Sequence, residues 1–419
     1  MPTTRHVDAG RASGRMTLKE SSVRSPTLRN REQHRPTVSV GALVVALVFG
    51  VLVAVVTTPL LASASMSNGE IAEFSTGLSS QSAVGDIVTG PDEGQWFTEF
   101  GTAAIGEISS SGAISQYLTG LRSQSALGSI VEGSDGNLWF TDDGPSPAIG
   151  EITPSGTITE YSSGLNTGSF PNDMGLGPDG NLWFTDSGTT PAIGQITASG
   201  TITEYTNGLG VGSVPNNIVV GPNGNLWFTD NGTTPAIGQI TPSGVITEYS
   251  SGLNVASYPD NIVSGPDGNL WFTDSGLTPA IGQITPSGTI TEFTNGLSVN
   301  SNPSGIVSGP DGNLWFTDNG TPAIGQITTS GTITEYTNGL GVGSLPNNIV
   351  GAPDGNLWFT DNGTTPAIGQ ITPSGTITEY SSGLNGGSFP NEIVTGSDGN
   401  LWFTDVGLDT AIGQVSTGA

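Results

Sequence analysis

The 419-residue chain has no cysteine, and its only two histidines, His6 and His34, lie within the first 36 residues. Disulfide staples, thiol nucleophiles and cysteine-held metals are therefore excluded. After residue 66 there is one base, Arg122, against 33 acids, a formal net charge of −32. A surface so poor in cations repels phosphate backbones, which excludes nucleic acid as a partner and favours cations or basic surfaces. Helical periodicity is missing too: the apolar runs beyond residue 66 are about five residues long, the length of strands.

The first 66 residues have the opposite sign. They hold Arg5, Arg11, Arg15, Lys19, Arg24, Arg29, Arg31 and Arg35, with only Asp8, Glu20 and Glu32 against them. An uncharged apolar run, Val38 to Val56, follows. It is close to the roughly 20 residues that cross a bilayer as a helix. Its basic flank comes first, so the positive-inside bias keeps residues 1–36 in the cytoplasm and exports the rest. Ala62-Ser63-Ala64 has the small-x-small form of a signal-peptidase site. The expected organisation is a basic cytoplasmic tail (1–36), a transmembrane or signal-anchor helix (37–61), a linker (62–69) and an extracellular domain (70–419). That domain is expected to be monomeric. It is either held at the cell membrane through the helix alone or secreted after cleavage near Ala64.

The exported part is a repeat. Its tryptophans, Trp96, Trp139, Trp183, Trp227, Trp271, Trp315, Trp358 and Trp402, recur every 43 or 44 residues, each in a Trp-Phe-Thr core. One Trp per unit at this period is the spacing of four-stranded propeller blades. In one unit the strands read as Pro215–Val220, Asn225–Thr229, Ala236–Ile240 and Val245–Tyr249. Gly-Pro-Asn-Gly and Thr-Pro-Ser-Gly form the turns, where Pro presets φ and Gly accepts a positive φ. Along the second strand Leu226 and Phe228 point one way and Trp227 and Thr229 the other. Both faces of each sheet are apolar, and only a ring covers them all. The chain opens its repeats with a lone outer strand, residues 70–74, and stops after a third strand, residues 411–415. The fold expected is all-β: eight four-stranded antiparallel blades, with the N-terminal strand completing the last.

Two sets of polar residues face the candidate binding side, where the second and outer strands end. Every second strand ends in an acid: Glu99, Asp142, Asp186, Asp230, Asp274, Asp318, Asp361 and Asp405. These either cap Asx-turns, since most continue as Asp-x-Gly, or form a ring of oxygen ligands suited to Mg²⁺ or Ca²⁺. The inner strands place Asp86, Asp173, Asn217, Asn261, Asn348 and Glu392 at one equivalent position, with Ser129 and Gly305 in the other two blades. They either satisfy backbone groups near the axis or bind a hydrated polar ligand. One variable slot, one residue before the inner strand's proline, holds Phe170, Val214, Tyr258, Asn302, Leu345 and Phe389, an adaptable contact surface or a neutral exposed position.

The motifs Gly-Pro-Asp-Gly-Asn-Leu-Trp-Phe-Thr-Asp, Ile-Gly-Gln-Ile-Thr-Pro-Ser-Gly and Ile-Thr-Glu-Tyr resemble the repeat of the virginiamycin B lyase (streptogramin lyase) family over residues 70–415. The resemblance implies a seven-bladed propeller. It also implies an enzyme that opens a cyclic depsipeptide by elimination, using carboxylate-held Mg²⁺ and histidines on the same face. The family's Trp-Phe-Thr-Glu carboxylate matches Glu99, with Asp in the other seven blades. This chain departs by counting eight units and by lacking any histidine beyond residue 34. A general base must reach the proton it removes, so neither histidine serves the propeller. Three readings follow: a module binding an extracellular ligand or protein through its acidic top face, a Mg-dependent lyase of this family, or a structural envelope protein.

Overall fold

The computed structural model describes residues 66–79 and 81–419, together with 47–48 and 51–52. The tail, the apolar helix and the cleavage site expected before residue 66 lie outside these residues, except for two short strands, Leu47–Val48 and Val51–Leu52, paired antiparallel. Among the described residues no helix is long and apolar enough to cross a membrane.

Residues beyond 66 form eight four-stranded antiparallel sheets, and the first strands of blades 1 to 8 begin at Val84, Leu127, Pro171, Pro215, Pro259, Pro303, Pro346 and Pro390. Blade 4 is typical: Pro215–Val220, Leu226–Asp230, Ala236–Ile240 and Ile246–Tyr249 from axis to rim. The second and outer strands each start one residue later than the sequence suggests. Asn225 and Val245 instead close the turns, their carbonyls accepting the N–H groups of Gly221 and Thr241. The turns after the first and third strands lie on one face of the ring, the floor. The connections after the second and outer strands form the opposite face, the top.

The alternating side chains of the second strand do what their pattern dictates. Trp183 and Ile193 of blade 3 pack with Ile218, Leu226, Phe228 and Ile240 of blade 4, all buried. Equivalent clusters occupy every junction, including the one where Trp402 and Ile412 of blade 8 meet Val84, Ile87 and Phe97 of blade 1. A large side chain needs a small one opposite it. Gly238 pairs with Phe228 across two strands, and a Cβ there would lie 2.0 Å from the ring's tip. Gly244 combines that crowding with a φ of +85°: a Cβ would strike Tyr205 of the preceding blade, so the Pro-Ser-Gly turn is fixed by its neighbour as well as by its own geometry.

Closure follows the expected clasp. Ile71–Phe74 pairs with Ala411–Val415 in register Ile71↔Val415 to Phe74↔Ile412, as the fourth strand of blade 8. Gly69 N–H donates to Ser416 O at 2.8 Å, Ser416 N–H to Glu70 O at 3.0 Å, and the Phe74 ring stacks on Trp402 at 5.9 Å. Both ends of the propeller therefore sit on the floor. Deleting residues 67–76 from the full-length chain should lower the melting temperature sharply, because it exposes the edge of Ala411–Val415 and strips the outer cover from blade 8. An unchanged thermal melt would show that the clasp does not hold the ring.

Candidate functional site at the channel mouth

The sequence-expected inner-strand set is brought together at the top of the central channel. A cavity of about 430 Å³ opens there, lined by Asp86, Ser129, Asp173, Asn217, Asn261, Asn348 and Glu392, with Asn172, Asn391, Phe100 and Leu127 beside them. A β-bulge positions these groups. In blade 3 the register with the second strand shifts between Pro171 and Met174, so Asn172 and Asp173 bow out of the ladder, and the same shift recurs in every blade. A bulge leaves backbone groups unpaired, and neighbouring blades repair this. Thr185, from the Trp-Phe-Thr core, accepts the Asp173 N–H at 3.1 Å and donates to Asn216 O of blade 4 at 2.6 Å. Asp173 Oδ2 accepts the Ile218 N–H and the Asn217 amide, each at 2.8 Å. Asn217 Oδ1 in turn accepts the Ile262 N–H of blade 5 at 3.1 Å.

A second circle of contacts was missed in the sequence. Asn172 donates to Asn216 at 2.8 Å, Asn216 to Asp260 at 2.9 Å, and Asn347 to Asn391 at 3.0 Å, one position before the recognised set. The recurrence of Asn or Asp at this position in five blades (172, 216, 260, 347 and 391) was the available signal, and it looks like strand-start polarity until the bulge is known. Also missed was a loop-tip slot on the top face, Val211, Val255, Val299 and Val342, of which Val211 and Val342 are 93% exposed. It stands three residues before the variable slot, whose Phe170, Val214, Tyr258, Leu345 and Phe389 are indeed part-exposed.

The channel's charge is lopsided. Its carboxylates come from blades 8, 1 and 3, while blades 4, 5 and 7 supply amides. Burial pushes the Glu392 carboxyl up to about 8, and the charges of Asp86 and Asp173 add to the effect. Asp173 is raised by burial to about 7 against the lowering hydrogen bond from Ile218, and Asp86 is raised by burial as well. Three acids facing one cavity share this upward push, so a cation entering there would compete with protons.

The strand-end acids sit elsewhere. Glu99, Asp142, Asp186, Asp230, Asp274, Asp318, Asp361 and Asp405 are wholly buried inside their blades, and among the described residues none of them lines the cavity. Asp186 Oδ1 accepts the N–H groups of Gly188 at 2.8 Å and Phe170 at 2.7 Å, and Ser169 donates to Oδ2. The seven aspartates repeat the bond to the glycine two residues on, as an Asx-turn does. Glu99 differs: Gln116 donates to both its oxygens, at 2.7 and 2.9 Å, and Thr102 to one of them at 2.7 Å. Most of these oxygens already accept hydrogen bonds, Asp142 Oδ2 and Asp318 Oδ2 excepted, and among the described residues no three acid or histidine side chains converge.

The family model described as the virginiamycin B lyase family matches residues 61–251 and 212–419. Among solved structures, a streptogramin B lyase is 29% identical, with 83% of this chain and 97% of that one covered at a TM-score of 0.58. Selenomethionine-substituted virginiamycin B lyase from Staphylococcus aureus is 28% identical, covering 83% and 99% at 0.59. A catalytically inactive histidine-to-alanine variant of the Staphylococcus aureus enzyme, with quinupristin, is 30% identical, covering 83% and 99% at 0.56. No curated protein matches the chain in sequence.

The threonine tie has a measurable worth. Thr185→Val keeps the shape but orphans the Asp173 N–H and the Asn216 carbonyl. It should cost about 2 kcal/mol in chemical denaturation, without altering the wild-type fold by circular dichroism.

Proposed function

The chain belongs to the virginiamycin B lyase family, and on that fold we propose a binding module whose channel mouth takes a cationic, hydrogen-bond-donating ligand. The observation that carries this reading is the cavity itself: Asp86, Asp173 and Glu392 on one side, Asn217, Asn261 and Asn348 on the other. An ammonium or guanidinium group would meet the carboxylates, and the amides would serve the ligand's remaining donors and acceptors. Part-exposed Phe170, Tyr258 and Phe389 on the surrounding loops offer apolar contact to the rest of the ligand. The formal charge of −32 beyond residue 66 would draw such ligands in. The uncharged run Val38 to Val56 behind its basic flank supports the expectation of an extracellular domain held by an N-terminal anchor.

The lyase reading lacks its base. The related enzyme is inactivated when one histidine becomes alanine, and this chain has no histidine beyond His34.

Thermal-shift and calorimetric titration of the full-length protein with polyamines, basic peptides, Mg²⁺, Ca²⁺ and a streptogramin B will test the assignment. An amine ligand should bind, and Asp173→Asn with Glu392→Gln should weaken it at least tenfold. Binding should tighten as pH rises through about 7 to 8, because the ligand competes with protons held by Asp173 and Glu392. Affinity indifferent to both substitutions would overturn the reading, and turnover of the streptogramin would replace it with the lyase.

A further inference from the structure

Seven of the eight outer strands carry a glutamate at one position, in Ile-Thr-Glu-Tyr or its variants Ile-Thr-Glu-Phe and Ile-Ala-Glu-Phe, and in six blades it turns towards the strand-end aspartate of its own blade. In blade 3 the Glu204 carboxyl lies within hydrogen-bonding reach of Asp186, and Glu204 Oε1 is buried with no partner. The same carboxyl-to-carboxyl approach occurs for Glu73 and Asp405, Glu160 and Asp142, Glu248 and Asp230, Glu292 and Asp274, and Glu379 and Asp361. Two carboxylates cannot both stay charged at such a distance inside a protein, so something positive or a hydrogen must lie between them.

Blade 1 shows which. There the outer strand has Gln116 in place of glutamate, and its amide donates to both oxygens of Glu99. A neutral amide reproduces the hydrogen-bonding of a protonated carboxyl and cannot stand in for a metal ion. In blade 6 Ser298 and Ser301 donate hydroxyls to Glu335, and Asp318 Oδ2 is left without a partner. We propose that the six Asp–Glu pairs each bind a shared proton, so that the ring is firm in mild acid and loosens as the medium turns alkaline.

Among the described residues no cationic side chain stands beside five of the six pairs. Beside Glu204 stand Asp186 on the second strand, Ser169 in the loop, and the Asn166 N–H, which donates to Oε2 at 2.7 Å. Glu73 has the corresponding Asp405, Ser388 and Asn385 N–H, the last at 2.6 Å. Among the described residues the one cation is in blade 2, where Arg122 Nε lies 3.3 Å from Glu160. Consistent with this, burial and the facing aspartate push Glu73, Glu204 and Glu292 up to about 8. Glu248 and Glu379 reach about 7, as does Glu160, which Arg122 holds back.

The sign follows from linkage. A carboxyl that is protonated when folded and charged when unfolded gives the native state the extra proton. Stability is fully present below the unfolded carboxyl's ordinary value and is lost as pH rises through about 7 to 8. Asp173 and Glu392 in the channel titrate in the same window, so the test compares variants and does not rely on the wild-type profile alone.

Denaturation midpoints of the full-length protein, measured in EDTA from about pH 5 to about pH 9, should fall with pH. Glu204→Gln should match wild type in acid and exceed it in alkali. Gln116→Glu, which installs a seventh pair, should match in acid and fall below it in alkali. Calorimetry near pH 6 in buffers of different ionisation heat should find about one proton fewer released on unfolding Glu204→Gln, and about one more for Gln116→Glu. A pH-independent offset, or unchanged proton release in both variants, overturns the proposal. So does a midpoint that Mg²⁺ or Ca²⁺ raises at alkaline pH in wild type but not in Glu204→Gln, which would place a metal between the carboxyls.

Discussion

Each blade is a thin sheet that is apolar on both faces, and no such sheet can stand alone in water. The second strand enforces this, because alternation sends Trp227 to one side and Leu226 and Phe228 to the other. A blade therefore has to find two neighbours, and those neighbours two more, until the last meets the first. Truncating one such buried tryptophan to alanine typically costs about 3–5 kcal/mol, so a single weak junction is felt by the whole circle. The clasp formed by Ile71–Phe74 is the same requirement met at the chain ends: blade 8 without its rim strand would leave Trp402 uncovered by Phe74.

Ring closure gathers eight bulged strands at the axis, and that convergence makes the channel mouth polar. The bulge frees backbone groups that must be satisfied away from water. Threonine hydroxyls, carboxylates and amides reach across to the next blade to do so. Side chains that tie the blades together are thus the ones that line the cavity. Where the tie can be made equally by Asn or Asp, the choice between them sets the charge of the mouth at little cost to the frame. Carboxylates on blades 8, 1 and 3 and amides on blades 4, 5 and 7 give a site with a direction on a nearly symmetric scaffold.

Much of this was legible in the sequence. The tryptophan period gave the blade count, and the unmatched strands at residues 70–74 and 411–415 gave the closure. The Asp86, Asp173 and Asn217 position could be seen because a polar residue recurs inside an apolar strand. What could not be read was depth. Trp-Phe-Thr-Asp has the same spelling whether its aspartate stands on a surface or is enclosed, and enclosure depends on loops arriving from residues 16 and 17 positions earlier, such as Phe170 and Ser169 over Asp186. The partnership of Glu204 with Asp186 was hidden for the same reason. Outer and second strands are not hydrogen-bonded to each other, and only the long side chain reaches over the third strand between them.

The propeller's two ends meet on the floor, where Gly69 bonds to Ser416 and the Ser416 hydroxyl donates to the Met66 carbonyl. A short peptide joining Ala419 to residue 66 would make the toroid covalently endless with almost no loop-closure cost. New termini could then be cut in any of the connections on the opposite face, giving a family of circular permutants. Each would break the circle at a different blade, so their relative stabilities would rank the eight seams one against another.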